Sequence, residues 1–272
     1  MNSYVQLFRV GNCIMGVIGL ILATLVAMGT EIVNVPVQLA IASGVVVGFI
    51  IGGNVLNDYL DREVDKLAHP ERPIPSGRVR PETARNISIL AFALSLFLSV
   101  FLWDLLSFII VAAAIVIMLA YELKTKKEGL TGNLSIAFLT SGLFLLGGAI
   151  VGRLDATIAI AMMAFLATLG REIVKDIQDM GADFDRRTLP QRIGARKAGV
   201  VASAAFLAAV ALSFEPVLSG RFGLEYLAAV LVADAIFIYC SIVHFRNPKQ
   251  GQKLAKYGML VALVAFLLGG LL

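Results

Sequence analysis

The sequence predicts an all-α polytopic membrane protein built from nine transmembrane helices. Three observations predict it. Of 272 residues, 58% are hydrophobic and only 15% are charged, with a mean hydropathy of +0.86, far from the composition of water-soluble domains. Nine apolar stretches of roughly 17–22 residues each have the length of a bilayer-crossing helix. The basic residues are segregated: with nine spans and the N-terminus inside, 21 of the 23 Lys and Arg fall on one side, leaving Arg153 and Arg221 on the other.

The spans follow in order. The first, 10–29, is long and has no small-residue cleavage site, so it reads as a span rather than a removable leader. The second is 36–57. The third and fourth, 87–103 and 105–121, are separated only by Trp103-Asp104. The fifth to seventh are 132–151, 155–173 and 198–214. The eighth, 224–243, carries Asp234 near its middle, and an intramembrane acid is a functional candidate by default. The ninth is 254–271. Gly52-Gly53 and Gly147-Gly148 permit close helix packing.

Positive charge stays cytoplasmic, so the loops 58–86, 122–129, 174–197 and 244–253 face the cytoplasm. A pI near 9.1 suits anionic lipid headgroups or anionic substrates, and no basic–aromatic pattern points to nucleic acid. Cys13 and Cys240, two distant cysteines, give no metal spacing and no disulfide framework, and His69 and His244 are isolated. No linker marks a second domain, so residues 1–272 form one unit.

Function concentrates in the two longest cytoplasmic loops. Asp58, Asp61 and Asp65 read D-x2-D-x3-D, and Asp176, Asp179 and Asp183 repeat it 118 residues later. At about 100° per residue each triplet falls on one helical face. Like charges so placed repel, unless divalent cations sit between them. Hard oxygen donors suit Mg2+, which takes one or two carboxylates and completes its shell with substrate phosphates. Two such faces on one side suggest a diphosphate clamped through metal ions. The offset also suggests an internal repeat, spans one to four matching five to eight.

Other residues gather around this pattern. Asn57 adds an oxygen ligand without charge, and Arg62 is placed to bond phosphate oxygens. Pro70, Pro73 and Pro75 stiffen the next loop into a cap that carries Arg72 and Arg78 over an anionic group. Arg171, with Glu172, lies a turn deeper than the second triplet, and Lys175 mirrors Asn57. Tyr121, Lys124 and Lys126 end the fourth span; either lysine suits phosphate, and either suits snorkelling. Asn12, inside the first span, needs a pocket partner. Arg9 is explained by positive-inside anchoring.

Together these residues resemble the UbiA superfamily of intramembrane prenyltransferases. Asn57 to Asp65 is similar to its N-D-x-x-D-x-x-x-D motif, Arg72-Pro-Ile-Pro-Ser-Gly-Arg78 to its R-P-L-P-S-G-R loop, and Lys175 to Asp183 to its second aspartate-rich motif. Two departures stand out. Ala182 occupies a position that is often Gly, and Thr125 occupies the lysine position of the tyrosine-lysine motif that begins at Tyr121.

The resemblance implies a helical bundle around a central cavity open to lipid, with a cytoplasmic cap. It implies Mg2+-dependent transfer from a prenyl diphosphate. The metal ligands would be Asn57, Asp58, Asp61, Asp65, Asp176, Asp179 and Asp183; Asp61, Asp65, Asp179 and Asp183 would carry catalysis. Substrate would meet Asn12, Arg62, Arg72, Arg78, Tyr121, Lys124, Lys126, Arg171 and Lys175. The run Arg171 to Asp179, with Thr188-Leu189-Pro190, looks most like the branch that makes archaeal ether lipids. There geranylgeranyl diphosphate alkylates the sn-2 hydroxyl of geranylgeranylglyceryl phosphate in a dry, aromatic-poor cavity. An aromatic acceptor, as in quinone or haem synthesis, is the nearest alternative, and an ion-coupled transporter is the alternative of another class. The D-x2-D-G-x2-A-R pattern of phosphatidyl-type transferases is missing.

Overall fold

A computed structural model describes residues 2–181 and 187–271. Among them are nine helices long and apolar enough to cross a membrane, and no strand. We number these α1 (Val10–Met28), α2 (Pro36–Leu60), α3 (Pro81–Val100), α4 (Leu105–Leu123), α5 (Leu130–Ala149), α6 (Leu154–Asp179), α7 (Ala195–Leu212), α8 (Leu224–Val243) and α9 (Pro248–Leu271). Each predicted span corresponds to one helix.

The boundaries differ where polar turns continue a helix beyond its apolar part. α3 begins at Pro81 and α9 at Pro248, six residues before their predicted starts, because proline at the first helical position has its φ preset and no N–H to satisfy. α6 runs on to Asp179, so most of the second aspartate run is the last turns of a membrane helix rather than a loop. Hydropathy cannot see such turns, since charge does not break a helix.

Chain neighbours pack side by side, and α9 returns against α1, closing the ring; α6 touches α1, α5, α7 and α9. Small residues set the closest approaches. A Cβ on Gly147 of α5 would run into the backbone of Ala23 and Thr24 in α1, and one on Gly52 of α2 would meet the Phe92 ring in α3. Serine hydroxyls join the same pair of helices, Ser88 Oγ donating to Gly52 O at 2.9 Å and Ser95 Oγ to Val45 O at 2.8 Å. Large apolar side chains such as Ile14, Phe97, Val116 and Ile242 stay exposed on the outside, as a lipid-facing surface requires.

At the end of the bundle that carries the aspartates, a short helix (Ser3–Phe8) and the loop 69–80 fold over α2. Leu7, Val55, Ile74, Val79 and Ala84 form a small apolar cluster there. This cluster fixes the height of Arg9 and Arg72 above the first aspartate run.

Candidate active site

The first aspartate run is built across a helix end. α2 ends at Leu60, Asp61 takes φ −86° and ψ 4°, and a second helix covers Arg62–Ala68. The hydrogen-bond ladder survives, with Asp61 N on Asn57 O at 2.9 Å and Asp65 N on Asp61 O at 2.8 Å. The carboxylates nevertheless separate into two groups rather than sharing one face. Asp58 and Asp65 share Arg72, whose Nη1 is 2.6 Å from Asp65 Oδ2 and 3.9 Å from Asp58 Oδ1. Asp61 turns the other way, to Asn57 Nδ2 at 3.0 Å and Lys126 Nζ at 2.6 Å.

Each aspartate thus meets a different cation of the chain. Arg9 Nη2 donates to Asp58 Oδ1 at 2.5 Å and to Asn57 Oδ1 at 3.4 Å. Arg9 reaches it from a break between the Ser3–Phe8 helix and α1, where its backbone is left-handed (φ 51°, ψ 59°), a region that non-glycine residues enter at a cost. Asn54 Nδ2 holds the break by donating to Phe8 O at 3.0 Å. A fourth acid, Glu122 from the last turn of α4, lies between Asn57 Nδ2 (3.2 Å) and Lys126 Nζ (3.0 Å). Four carboxylates therefore face three cations, Arg9, Arg72 and Lys126. That surplus of negative charge suits a further cation.

The second run lies across a small polar cavity walled by Tyr121, Lys126, Asn133, Glu172, Lys175 and Asp176. Asn133 Nδ2 donates to Asp176 Oδ2 at 2.9 Å. Glu172 pairs with Arg171, and Lys175 stands 4.0 Å from it. Asp179 closes α6 and is half-buried. Asp183 lies outside the described residues. Lys126 joins the two runs, since it bonds Asp61 on one side and walls the cavity of Asp176 on the other.

Below this cavity lies a larger apolar one, about 180 Å³. Met15, Leu143, Met163, Ala233 and Leu263 line it, together with Phe144, Phe237 and Phe266. The expectation of an aromatic-poor cavity is therefore corrected. Three rings from three helices meet there, a convergence invisible along the chain.

The fit to a divalent cation follows from the donors. They are hard oxygens, and Asp58 and Asp65 approach closely enough to share one guanidinium. Among the described residues no three Asp, Glu, His or Cys side chains already form a cage. A partial set completed by phosphate oxygens is the ordinary Mg2+ arrangement, so the residues fit.

The remaining predicted residues are placed as follows. Lys126 is inside and Lys124 outside: their side chains are 8% and 76% exposed, and Lys124 pairs loosely with Glu128 at 3.8 Å. Arg62 folds back onto Tyr59, bonding its carbonyl at 2.8 Å and lying 4.6 Å over its ring. Arg78 bonds Gln6 Oε1 at 3.1 Å, Ser76 Oγ at 2.9 Å and the Glu71 carbonyl. Among the described residues it meets no carboxylate. Asn12 is exposed on α1 and lines neither cavity. Asp234 has a partner after all, Ser213 Oγ at 2.8 Å. Arg9, Glu122 and Asn133 are the site residues that sequence reasoning left without a role. The signals were an acid directly after Tyr121 and an asparagine one turn into a span; Arg9 was hidden by the charge rule it also obeys.

The fold and site define a polytopic membrane protein with two acidic runs facing a basic-lined cavity above an apolar one. The chain belongs to the UbiA prenyltransferase family, whose pattern it matches over residues 17–267. It is 36% identical over 276 residues to the digeranylgeranylglyceryl phosphate synthase of Methanothermobacter thermautotrophicus, covering 99% of this chain and 96% of that one. A solved structure concerned with digeranylgeranylglyceryl phosphate synthase in membranes superposes with a TM-score of 0.90 at 32% identity, covering 98% of this chain and 97% of that one. A UbiA homolog from Archaeoglobus fulgidus bound to GPP and Mg2+ shares the fold, with a TM-score of 0.71 at 15% identity and 98% of each chain covered. The protein is thus a prenyltransferase of the membrane, and the transporter reading falls.

Proposed function

We propose that this enzyme transfers a geranylgeranyl group from geranylgeranyl diphosphate to the sn-2 hydroxyl of geranylgeranylglyceryl phosphate, forming an ether and releasing diphosphate. The single observation that carries the reading is spatial. One side of α5 and α6 runs from the Lys126–Asp176 cavity down into the apolar cavity, so a diphosphate and its hydrocarbon tail have adjoining places. Full-length likeness to digeranylgeranylglyceryl phosphate synthases supports the choice of substrates.

Asn57, Asp58, Asp61 and Asp65 on one side, and Asp176, Asp179 and Asp183 on the other, would hold Mg2+. When bound, Mg2+ offsets the charge of the diphosphate as it leaves. Lys126 and Lys175 supply fixed positive charge at the same place, where a preorganised cation stabilises developing negative charge better than water does. The bond from C1 of the prenyl group to the diphosphate oxygen breaks, the electron pair leaves with the diphosphate, and an allylic cation remains. The apolar cavity excludes water, so the acceptor hydroxyl is the nucleophile at hand: its oxygen bonds to C1, and its proton passes to an aspartate of the two runs. Arg78, which meets no carboxylate among the described residues, is the candidate for the acceptor phosphate. The concentration of Lys and Arg in these loops supports an N-terminus and a site on the cytoplasmic side.

The test is purified enzyme with labelled geranylgeranyl diphosphate and Mg2+, offered geranylgeranylglyceryl phosphate or 4-hydroxybenzoate, with and without EDTA. A diether product lost on chelation supports the reading. Product with the aromatic acceptor alone moves the enzyme to quinone-type chemistry, and product that survives EDTA overturns the metal assignment.

A further inference from the structure

The large cavity has one feature that the reaction above does not use. Among its apolar walls stands Asp234, 5% exposed, from the middle of α8. Among the described residues its one hydrogen-bond partner is Ser213 Oγ, at 2.8 Å. Among the described residues no Lys, Arg or His forms an ion pair with it. A carboxyl group that neighbours hydrocarbon without a full set of partners is costly, so its persistence here invites a role.

Its position in the cavity suggests one. The wall of α5 passes from Asn133 and Ile136 in the upper cavity to Thr140 and Leu143 in the lower, at helical spacing. Asp234 lies ten residues before the α8 end at His244, about 15 Å down the axis from that end. Ser213 caps the far end of α7, and its carbonyl accepts from Tyr226 Oη at 2.9 Å. The Tyr226 ring stacks on Phe266, with 6.1 Å between centroids, and Phe144 meets Phe266 at 6.4 Å. The lower wall of the cavity therefore combines the rings of Phe144 and Phe266 with one polar pair, Asp234 and Ser213.

We propose that Asp234 and Ser213 are the end-stop of the prenyl chain, so that this pair sets the length of prenyl diphosphate the enzyme accepts. The inference rests on the prenyl-transfer reading above. A chain whose last methyl groups stop short of Asp234 leaves its carboxyl oxygens their partners. One more isoprene unit would press hydrocarbon onto the carboxyl group and strip them. The discrimination comes from polarity at a fixed depth rather than from bulk, and a large apolar side chain at the same place would not supply it.

The experiment compares farnesyl, geranylgeranyl and geranylfarnesyl diphosphate, each with Mg2+, as ligands and as donors to one fixed acceptor. Wild type, Asp234→Leu and Asp234→Asn are measured in detergent by equilibrium binding and by initial rate. The wild type should prefer geranylgeranyl over geranylfarnesyl diphosphate by about tenfold, the worth of one desolvated polar group. Asp234→Asn, which keeps the polarity, should retain that preference, and Asp234→Leu should lose it. Asp234→Val, smaller and equally apolar, gives the same reading should the leucine variant not fold. An unchanged preference in a folded apolar variant, or its equal loss in Asp234→Asn, overturns the end-stop. A change in preference for acceptor chain length instead of donor length overturns it too. Preferences that follow the expected pattern in binding, without turnover, leave the end-stop standing and remove the proposed reaction. Failure of the wild type to bind any of the three removes both.

Discussion

Lys126 Nζ lies 2.6 Å from Asp61 Oδ1, while Lys124, two residues earlier, is 76% exposed. The 3-10 turn Thr125–Lys127 makes this choice by turning one lysine in and the other out. Under the proposed reaction Lys126 is the lysine beside the diphosphate, one residue after Thr125, which stands at the position of the family's lysine. Lys126→Met should lower kcat by about 10²–10³-fold, the usual cost of one preorganised group at a developing charge. Lys124→Met should stay within about twofold, since an exposed ion pair contributes little. The reverse ranking in initial-rate measurements would sink the assignment.

Glu122 is expected to act through Lys126, which it contacts at 3.0 Å. Its side chain is 4% exposed; both its oxygens accept from Asn57 Nδ2, and Oε2 also accepts from Lys126 Nζ. Without that charge Lys126 would settle wholly on Asp61 and reach the diphosphate less readily. Glu122→Gln should cost about 10–100-fold in kcat, typical of a group that orients a site residue. Glu122→Asp should recover part of it. A positioning role also predicts that Glu122→Gln has little further effect in a Lys126→Met background. Additive losses in that double-mutant cycle would show that Glu122 acts independently.

Gly129 joins the lysine turn to the chain after the second aspartate run. Its φ is +68°, and a Cβ there would lie 2.6 Å from Arg187 O and 3.0 Å from Leu189 N. Arg187 N donates to Lys127 O at 3.0 Å across the same seam. Gly77 also has a positive φ, +76°, yet open space around its missing side chain. Gly77→Ala should therefore cost only backbone strain, on the order of 1 kcal/mol. Gly129→Ala should cost about 1–3 kcal/mol in total and also lower activity, by moving Lys126 from Asp176. Thermal unfolding of both variants in detergent checks the ranking; equal shifts would mean that the close approach is unimportant.

How far the chain could be read in advance follows from which signals are local. Nine spans were legible because a bilayer demands a length of apolar residues that nothing else in the chain imitates. The aspartate runs were legible because three like charges at helical spacing have few innocent explanations. Their partners were not. Arg9 sits one residue before α1, where the charge rule expects a basic residue anyway. Glu122 looks like the ordinary polar end of a span, and only the fold brings it to Asn57, 65 residues away. The split of Asp58 and Asp65 from Asp61 arises from Arg72 and Lys126 pulling in different directions, a tertiary effect that helical periodicity cannot contain. The phenylalanines of the cavity come from α5, α8 and α9, and no single stretch shows them together.

His244 offers a test of packing away from the site. It caps the end of α8 and is 1% exposed. Its Nε2 is 2.9 Å from Ser203 Oγ, whose own proton goes to Ser241 O at 2.7 Å, so the imidazole is the donor and carries its hydrogen on Nε2. Nδ1 has no hydrogen-bond partner among the described residues. Burial pushes the imidazole pKa below its ordinary 6.5. The unfolded chain then binds a proton that the folded protein resists, so stability rises with pH in that range. What His244 contributes is fully present above the unfolded value and is lost as pH falls below it, toward the depressed folded one. Wild-type unfolding temperature should therefore drop between about pH 7 and pH 5. His244→Gln, whose amide can still donate to Ser203, should flatten that drop. Equal slopes in the two proteins would mean that the loss of stability in acid comes from other groups.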